Sequence, residues 1–228
     1  MKRILFAAAF AVAAGGQVLA ADLPAPGYPP YVPAVPFYSW TGFYAGINGG
    51  GAFGNSNWTD PAFAPTGNFS VNGFLMGGTL GANYQVGSWV FGIEGDADWA
   101  NLDATTFNTS CANVGCETSS DFLATIRGRV GYAWDRLLVY GTAGAAFGDI
   151  QAAAGTLPFM SSTQAGWTAG AGLEYALTPS LTAKVEYLFV DLGSASCGPA
   201  NCGGTNTSVS LNENVIRGGI NYRFGSWW

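Results

Sequence analysis

From Phe43 to Phe224 the chain alternates apolar side chains with small or polar ones in eight successive runs, the two-residue period of β-strands whose faces meet different surroundings. In the first run Phe43, Ala45, Ile47 and Phe53 share one face, against Tyr44, Gly46, Asn48 and Gly50. The contrast sharpens in the third, where Trp89, Phe91, Ile93 and Trp99 alternate with Glu94, Asp96 and Asp98. In the fourth, Phe122, Ile126, Val130 and Trp134 oppose Arg127 and Arg129. Later runs set Glu174, then Lys184 and Glu186, then Glu213, Arg217 and Arg223 against faces carrying Trp167, Tyr175, Phe189 and Tyr222. One face of each strand is oily and the other is small, polar or ionic.

Alternation alone also fits a sandwich or a water-soluble barrel. The position of aromatics and charge decides. Ionic residues occupy strand middles, whereas aromatics gather at the ends: Phe43, Tyr84, Trp89, Trp134, Tyr175 and Phe224 toward one rim, Phe53, Trp99, Phe122, Phe147 and Phe189 toward the other. Two aromatic girdles bounding an apolar band around a polar lumen are the signature of a transmembrane barrel. Connections alternate in the same sense. Long polar stretches near 55–70, 103–120, 151–162 and 194–212 alternate with tight turns at Gly87-Ser88, Asp135-Arg136 and Thr178-Pro179-Ser180. The fold expected is an all-β, antiparallel, up-and-down barrel of eight strands with long external loops and short periplasmic turns.

The flanks fit an exported chain. Lys2-Arg3, an apolar stretch from Ile4 to Ala14 and small residues up to Ala20 have the order of a secretory signal, so residues 1–20 are expected to be removed. Residues 21–39 are Pro-rich and read as an extended periplasmic segment, and 40–228 form the barrel domain. Loss of Lys2 and Arg3 takes the formal charge from −6 to −8, which gives no attraction to nucleic acid. Only 10% of residues are charged, far below an ordinary soluble domain.

The ionic faces predict an interior network of Glu94, Asp96, Asp98, Arg127, Arg129, Glu174, Lys184, Glu186, Arg217 and Arg223. In the hairpin register that brings Glu94 opposite Arg129 and Asp96 opposite Arg127, the pairs cancel within a lumen just wide enough for side chains. Such a balanced interior predicts a plug. The many interior glycines leave room for water in the same reading, which keeps a narrow pore for small hydrophilic solutes as the alternative.

No catalytic, cofactor or metal site is expected. Histidine is absent, which removes the usual nucleophile–base pairs. Gly49, Gly51 and Gly54 match a dinucleotide fingerprint, but a polar loop follows where a helix is required. Cys111 and Cys116, then Cys197 and Cys202, form two C-x4-C pairs expected to oxidise outside the cytoplasm. Four cysteines permit three connectivities, of which local bridges need the least displacement.

The strings WTGFYAGINGG from Trp40, VFGIEGDADW from Val90, TIRGRVGYAWDRLLVYGTAG from Thr125, GWTAGAGLEYALTPSLTAKVEYLFVDLG from Gly166 and ENVIRGGINYRF from Glu213 resemble the small, porin-like outer-membrane β-barrel family of alphaproteobacteria. That family includes rhizobial outer-membrane protein B and the brucella surface outer-membrane proteins. The resemblance implies outer-membrane residence, a role in envelope integrity and surface exposure, and no catalysis. Its expected partners are outer-membrane lipid and lipopolysaccharide, the barrel-assembly machinery, and peptidoglycan through the Pro-rich arm. It also implies a C-terminal aromatic assembly signal, here Tyr222, Phe224 and, after a Gly-Ser-Trp tail, Trp228. The paired cysteines and that tail depart from the family pattern.

Overall fold

The computed structural model describes residues 38–59, 69–106, 116–154, 160–198 and 207–224. Eight strands run through them: β1 (Gly42–Thr59), β2 (Phe69–Val86), β3 (Trp89–Thr106), β4 (Cys116–Trp134), β5 (Leu137–Ala154), β6 (Met160–Ala176), β7 (Leu181–Cys197) and β8 (Thr207–Phe224). Each pairs antiparallel with its sequence neighbour, and β8 closes on β1 to complete a barrel. Closure leaves no sheet edge with unpaired backbone groups, the condition for crossing hydrocarbon with strands.

The register fixes the barrel's dimensions. Starting at Phe43, successive partners are Ala82, Ile93, Gly128, Ala143, Ala169, Phe189, Asn214 and finally Phe53 on β1 again, so one circuit climbs ten residues. With ~3.3 Å rise per residue and ~4.8 Å between strands, that stagger tilts the strands by about 40° and sets a backbone radius of about 8 Å. Inward side chains from opposite walls therefore meet at the axis.

Outward and inward faces follow the alternation of the sequence. Ile47 is 70% exposed, Ile93 69% and Ile126 67%, whereas Glu94 is 2% exposed and Arg127 1%. The apolar face looks away from the barrel and the charged face into it. Trp89 and Trp99, one in each girdle, stand roughly 33 Å apart along β3 at ~3.3 Å per residue, or about 25 Å along the axis, the height of an outer-membrane apolar band.

Tight turns close three hairpins at one end. Gly87 (φ +60°) and Asp135 (φ +51°) take the left-handed conformation that two-residue hairpin loops require; Asp135, short and polar, tolerates it. At the other end the strands are longer than the sequence pattern indicated. They claim about half of the stretches read as loops, leaving 60–68, 107–115, 155–159 and 199–206 outside the described residues. Strands of 17 to 19 residues exceed the roughly ten needed to cross a bilayer, so their far ends project beyond the outer girdle. Register irregularities at Trp99/Leu102, Ser119/Leu123 and Asp191/Ser194 fall in these extensions. At the last of them Gly193 (φ +71°) donates its backbone N–H to Asp191 Oδ1 at 2.8 Å.

Candidate functional site in the lumen

The lumen is filled in three layers. The middle layer is ionic and is organised by three arginines. Arg127 donates through Nη2 to Glu94 Oε1 (2.6 Å) and Asp96 Oδ2 (2.8 Å), and through Nη1 to Glu186 Oε1 (3.0 Å). Arg217 reaches Asp96 Oδ1 (2.8 Å) and Asp98 Oδ2 (2.7 Å) with Nη1, and Glu186 Oε2 (2.9 Å) with Nε. Arg129 joins Glu94 Oε2 (3.2 Å) to Glu174 Oε2 (2.7 Å), and Lys184 Nζ completes the set on Glu94 Oε2 at 2.9 Å. Five carboxylates thus face four cations, and the bonds run between strands on different sides of the barrel. Every partner is buried. Such charges are tolerable only when paired and hydrogen-bonded, because desolvation costs several kcal/mol per ion.

Two tyrosines pack this layer by one repeated motif. Tyr44 on β1 crosses its direct partner Gly81 on β2 and donates to Glu94 Oε2 on β3 at 2.8 Å. Tyr140 on β5 crosses Gly172 on β6 and donates to Glu186 Oε1 on β7 at 3.2 Å. A Cβ on either glycine would fall on the tyrosine ring. The Arg129 guanidinium lies between the two rings, 5.4 Å and 4.4 Å from their centroids, within the range of cation–π attraction. The space read as room for water beside these two glycines holds aromatic rings.

Two sequence expectations need correction. The β3–β4 register places Glu94 opposite Arg127, and Asp96 opposite Thr125, two residues from the expected pairing. An even slip keeps every side chain on its face, so alternation cannot detect it, and the long β3–β4 connection does not pin it as a tight turn would. Arg223 lies outside the ionic network. It sits at the turn end of β8, where Nη2 donates to Thr41 O at 2.9 Å and the guanidinium stacks 4.8 Å over the Tyr38 ring.

The segment entering β1 forms the layer at the turn end. Trp40 is fully buried against Val90, Ala133, Leu138, Tyr140 and Ala176, with Tyr38 packed beside it. Its backbone N–H donates to Gln85 Oε1 (2.7 Å) and its indole Nε1 to Asp135 O (3.0 Å), while Tyr38 N donates to Asp135 Oδ1 (3.0 Å). Residues 38–41 thereby tie two turns and the closing strand across the mouth. Burial pushes the Tyr38 phenol above its usual pKa range.

The third layer, toward the long connections, is apolar. Leu75, Leu102, Leu123, Ile150, Leu188, Leu192, Leu211 and Val215 turn inward and form one buried cluster. Glu213, counted among the ionic residues in the sequence reading, lies on β8 between Leu211 and Val215, 1% exposed, with neither carboxylate oxygen hydrogen-bonded. Sequence reasoning missed this layer, although parity carries the signal: Leu188 shares the face of Lys184 and Glu186, and Leu75 that of Thr79.

The girdle residues Phe43, Tyr84, Trp89, Trp99, Phe122, Trp134, Phe147, Tyr175 and Phe224 are exposed on the outer wall; Phe189 is half-buried, 5.3 Å from Trp167 between ring centroids. Tyr222 and Phe224 end β8 on the outward face, and Phe224 pairs with Phe43 across the closing seam. Trp228, Cys111 and Cys202 lie outside the described residues, as do the side chains of Cys116 and Cys197.

Comparison with known proteins agrees with this architecture. The model of the outer membrane protein beta-barrel domain family matches residues 6–224. The 31 kDa outer-membrane immunogenic protein of Brucella melitensis is 33% identical over 242 residues, covering 98% of this chain and 100% of that protein. A 22 kDa outer membrane protein of Rhizobium leguminosarum bv. viciae is 32% identical over 197 residues, 84% of this chain and 82% of its own. Among solved structures, the outer membrane protein OprG from Pseudomonas aeruginosa is similar with a TM-score of 0.48 and 13% identity, over 83% of this chain and 100% of that one. A closed eight-stranded barrel with an apolar outer wall, matched over nearly its whole length by that family, is an integral protein of the outer membrane, and the chain belongs to the outer membrane protein beta-barrel family.

Proposed function

We propose that this protein is a structural and surface-presenting element of the outer membrane that neither catalyses a reaction nor passes solute. The stacked lumen carries this reading: a Trp40 layer, an ionic layer and an apolar layer lie in series along the axis. An ion entering from either side would have to displace buried hydrocarbon and then break charge pairs. The immunogenic character in the name of the Brucella relative supports exposure of the long-connection end at the cell surface. In this reading outer-membrane lipid and lipopolysaccharide surround the girdles, the assembly machinery reads the aromatic end of β8, and peptidoglycan is the partner of the Pro-rich segment.

Cells lacking the protein should become sensitive to detergent and regain resistance when it is supplied. An envelope unchanged in detergent resistance, with slowed uptake of small hydrophilic solutes, would favour a porin and contradict the proposal.

A further inference from the structure

The outer half of the barrel carries no basic side chain. Beyond the first 20 residues the chain has six Lys and Arg residues. Arg127, Arg129, Lys184 and Arg217 are buried in the lumen, Arg136 lies in a tight turn and Arg223 ends β8 at the same end. Past the outer girdle, outward-facing positions on six of the strands are amides or carboxylates, exposed or half-exposed: Asn55, Asn72, Asn101, Asp149, Asp191 and Asn212. These carboxylates, and Asp121 exposed on β4, are already engaged locally, Asp121 Oδ2 accepting from Gln151 Nε2 at 2.7 Å. Asp149 Oδ1 accepts the backbone N–H groups of Asp121 and Phe122, and Asp191 Oδ1 that of Gly193. The amides are therefore the main outward-facing groups of this belt.

This belt is continuous with the lipid-facing wall, two residues above Phe53, Phe74, Trp99 and Phe147 on their strands, so its height is that of the outer-leaflet headgroups. An amide offers two donors and an acceptor, a match for hydroxyl groups, which donate and accept together. Anionic phosphate needs cationic or densely donating partners, and next to fixed carboxylates without a cation it is repelled. We propose that the amide belt binds the sugar hydroxyls of outer-leaflet glycolipid headgroups directly, without phosphate contacts. The proposal rests on the reading of a lipid-embedded barrel given above and names the headgroup chemistry that this barrel selects.

The test uses the full chain reconstituted in vesicles of phosphatidylcholine alone, of phosphatidylcholine with a neutral diglycosyl lipid, and of phosphatidylcholine with phosphatidylglycerol. Unfolding is followed by the migration difference between unheated and boiled protein. The neutral glycolipid should slow thermal unfolding on the order of tenfold, as a few net hydrogen bonds would, with no requirement for divalent cations. The anionic phospholipid should not slow it. The triple variant Asn72→Ala, Asn101→Ala, Asn212→Ala should still fold in phosphatidylcholine, since all three side chains are exposed, and should lose the glycolipid gain. An equal or larger gain from phosphatidylglycerol, a gain erased by EDTA, or a triple variant that keeps the gain overturns the proposal. A chain that inserts into no vesicle overturns the barrel reading with it, whereas one that inserts into all three and unfolds at the same rate in each overturns this inference alone.

Discussion

The ring of Tyr44 lies where a side chain on Gly81 would stand, and this spatial exchange between neighbouring strands converts a small-residue position into packed interior. The same exchange recurs between Tyr140 and Gly172. Both tyrosines then reach a glutamate one strand further on, so each motif stitches three strands and delivers a neutral donor to the ionic layer.

Gly81→Ala and Gly172→Ala should each destabilise the barrel by about 1–3 kcal/mol, because the added methyl forces a buried ring off its seat. Gly78→Ala is the control. It faces outward, its Cβ would meet only Gly46 O at 3.8 Å, and its unfolding midpoint in urea should match wild type within error. Equal effects at all three positions would contradict the exchange.

Removing Arg217 leaves Asp96, Asp98 and Glu186 buried with fewer cations. Arg217→Leu should cost about 3–5 kcal/mol of unfolding free energy. Combining it with Asp98→Asn should recover part of that loss, since Arg217 is the cation paired with Asp98. Strictly additive losses, measured by a double-mutant cycle in lipid, would show that the two residues are not coupled.

Glu213 has the opposite expectation. A carboxyl group without a hydrogen-bond partner among leucines and valines is a cost to the fold, so Glu213→Leu should stabilise by about 1–3 kcal/mol. A lower urea midpoint for the variant would mean that the side chain has a partner in the lumen.

Trp40→Ala should cost about 3–5 kcal/mol, the usual consequence of emptying a large aromatic site, and Trp40→Phe less, because it retains most of the apolar contact. The Trp40→Ala change should also make residues 38–41 accessible to protease in the folded protein. A folded Trp40→Ala variant cut no faster than wild type would argue against the mouth being closed by this segment.

Much of this was legible in the sequence, for a physical reason. The period of two separates the walls of a barrel whenever lipid and lumen differ in polarity, and Trp89, Phe91 and Ile93 against Glu94 and Asp96 make that difference plain. Girdles and turns were legible because aromatics and Gly87 or Asp135 mark definite heights and conformations. The axial stacking was harder to read. Leu75, Leu123 and Leu188 are apolar and inward, and an apolar residue in a membrane barrel is first read as lipid-facing unless parity is followed through. Register was beyond reach because a two-residue slip leaves both faces intact. The docking of Tyr38 and Trp40 was missed because it depends on contacts 95 and 97 residues away at Asp135, which no local pattern carries.

Single-channel recording of the purified full chain in planar bilayers tests the central claim most directly. Three filled layers predict no steady open level at any salt concentration, and none in Arg217→Leu as long as the apolar layer remains. A stable ohmic conductance in the wild-type protein, lowered by bulky substitutions at the inward-facing Gly170, would contradict it.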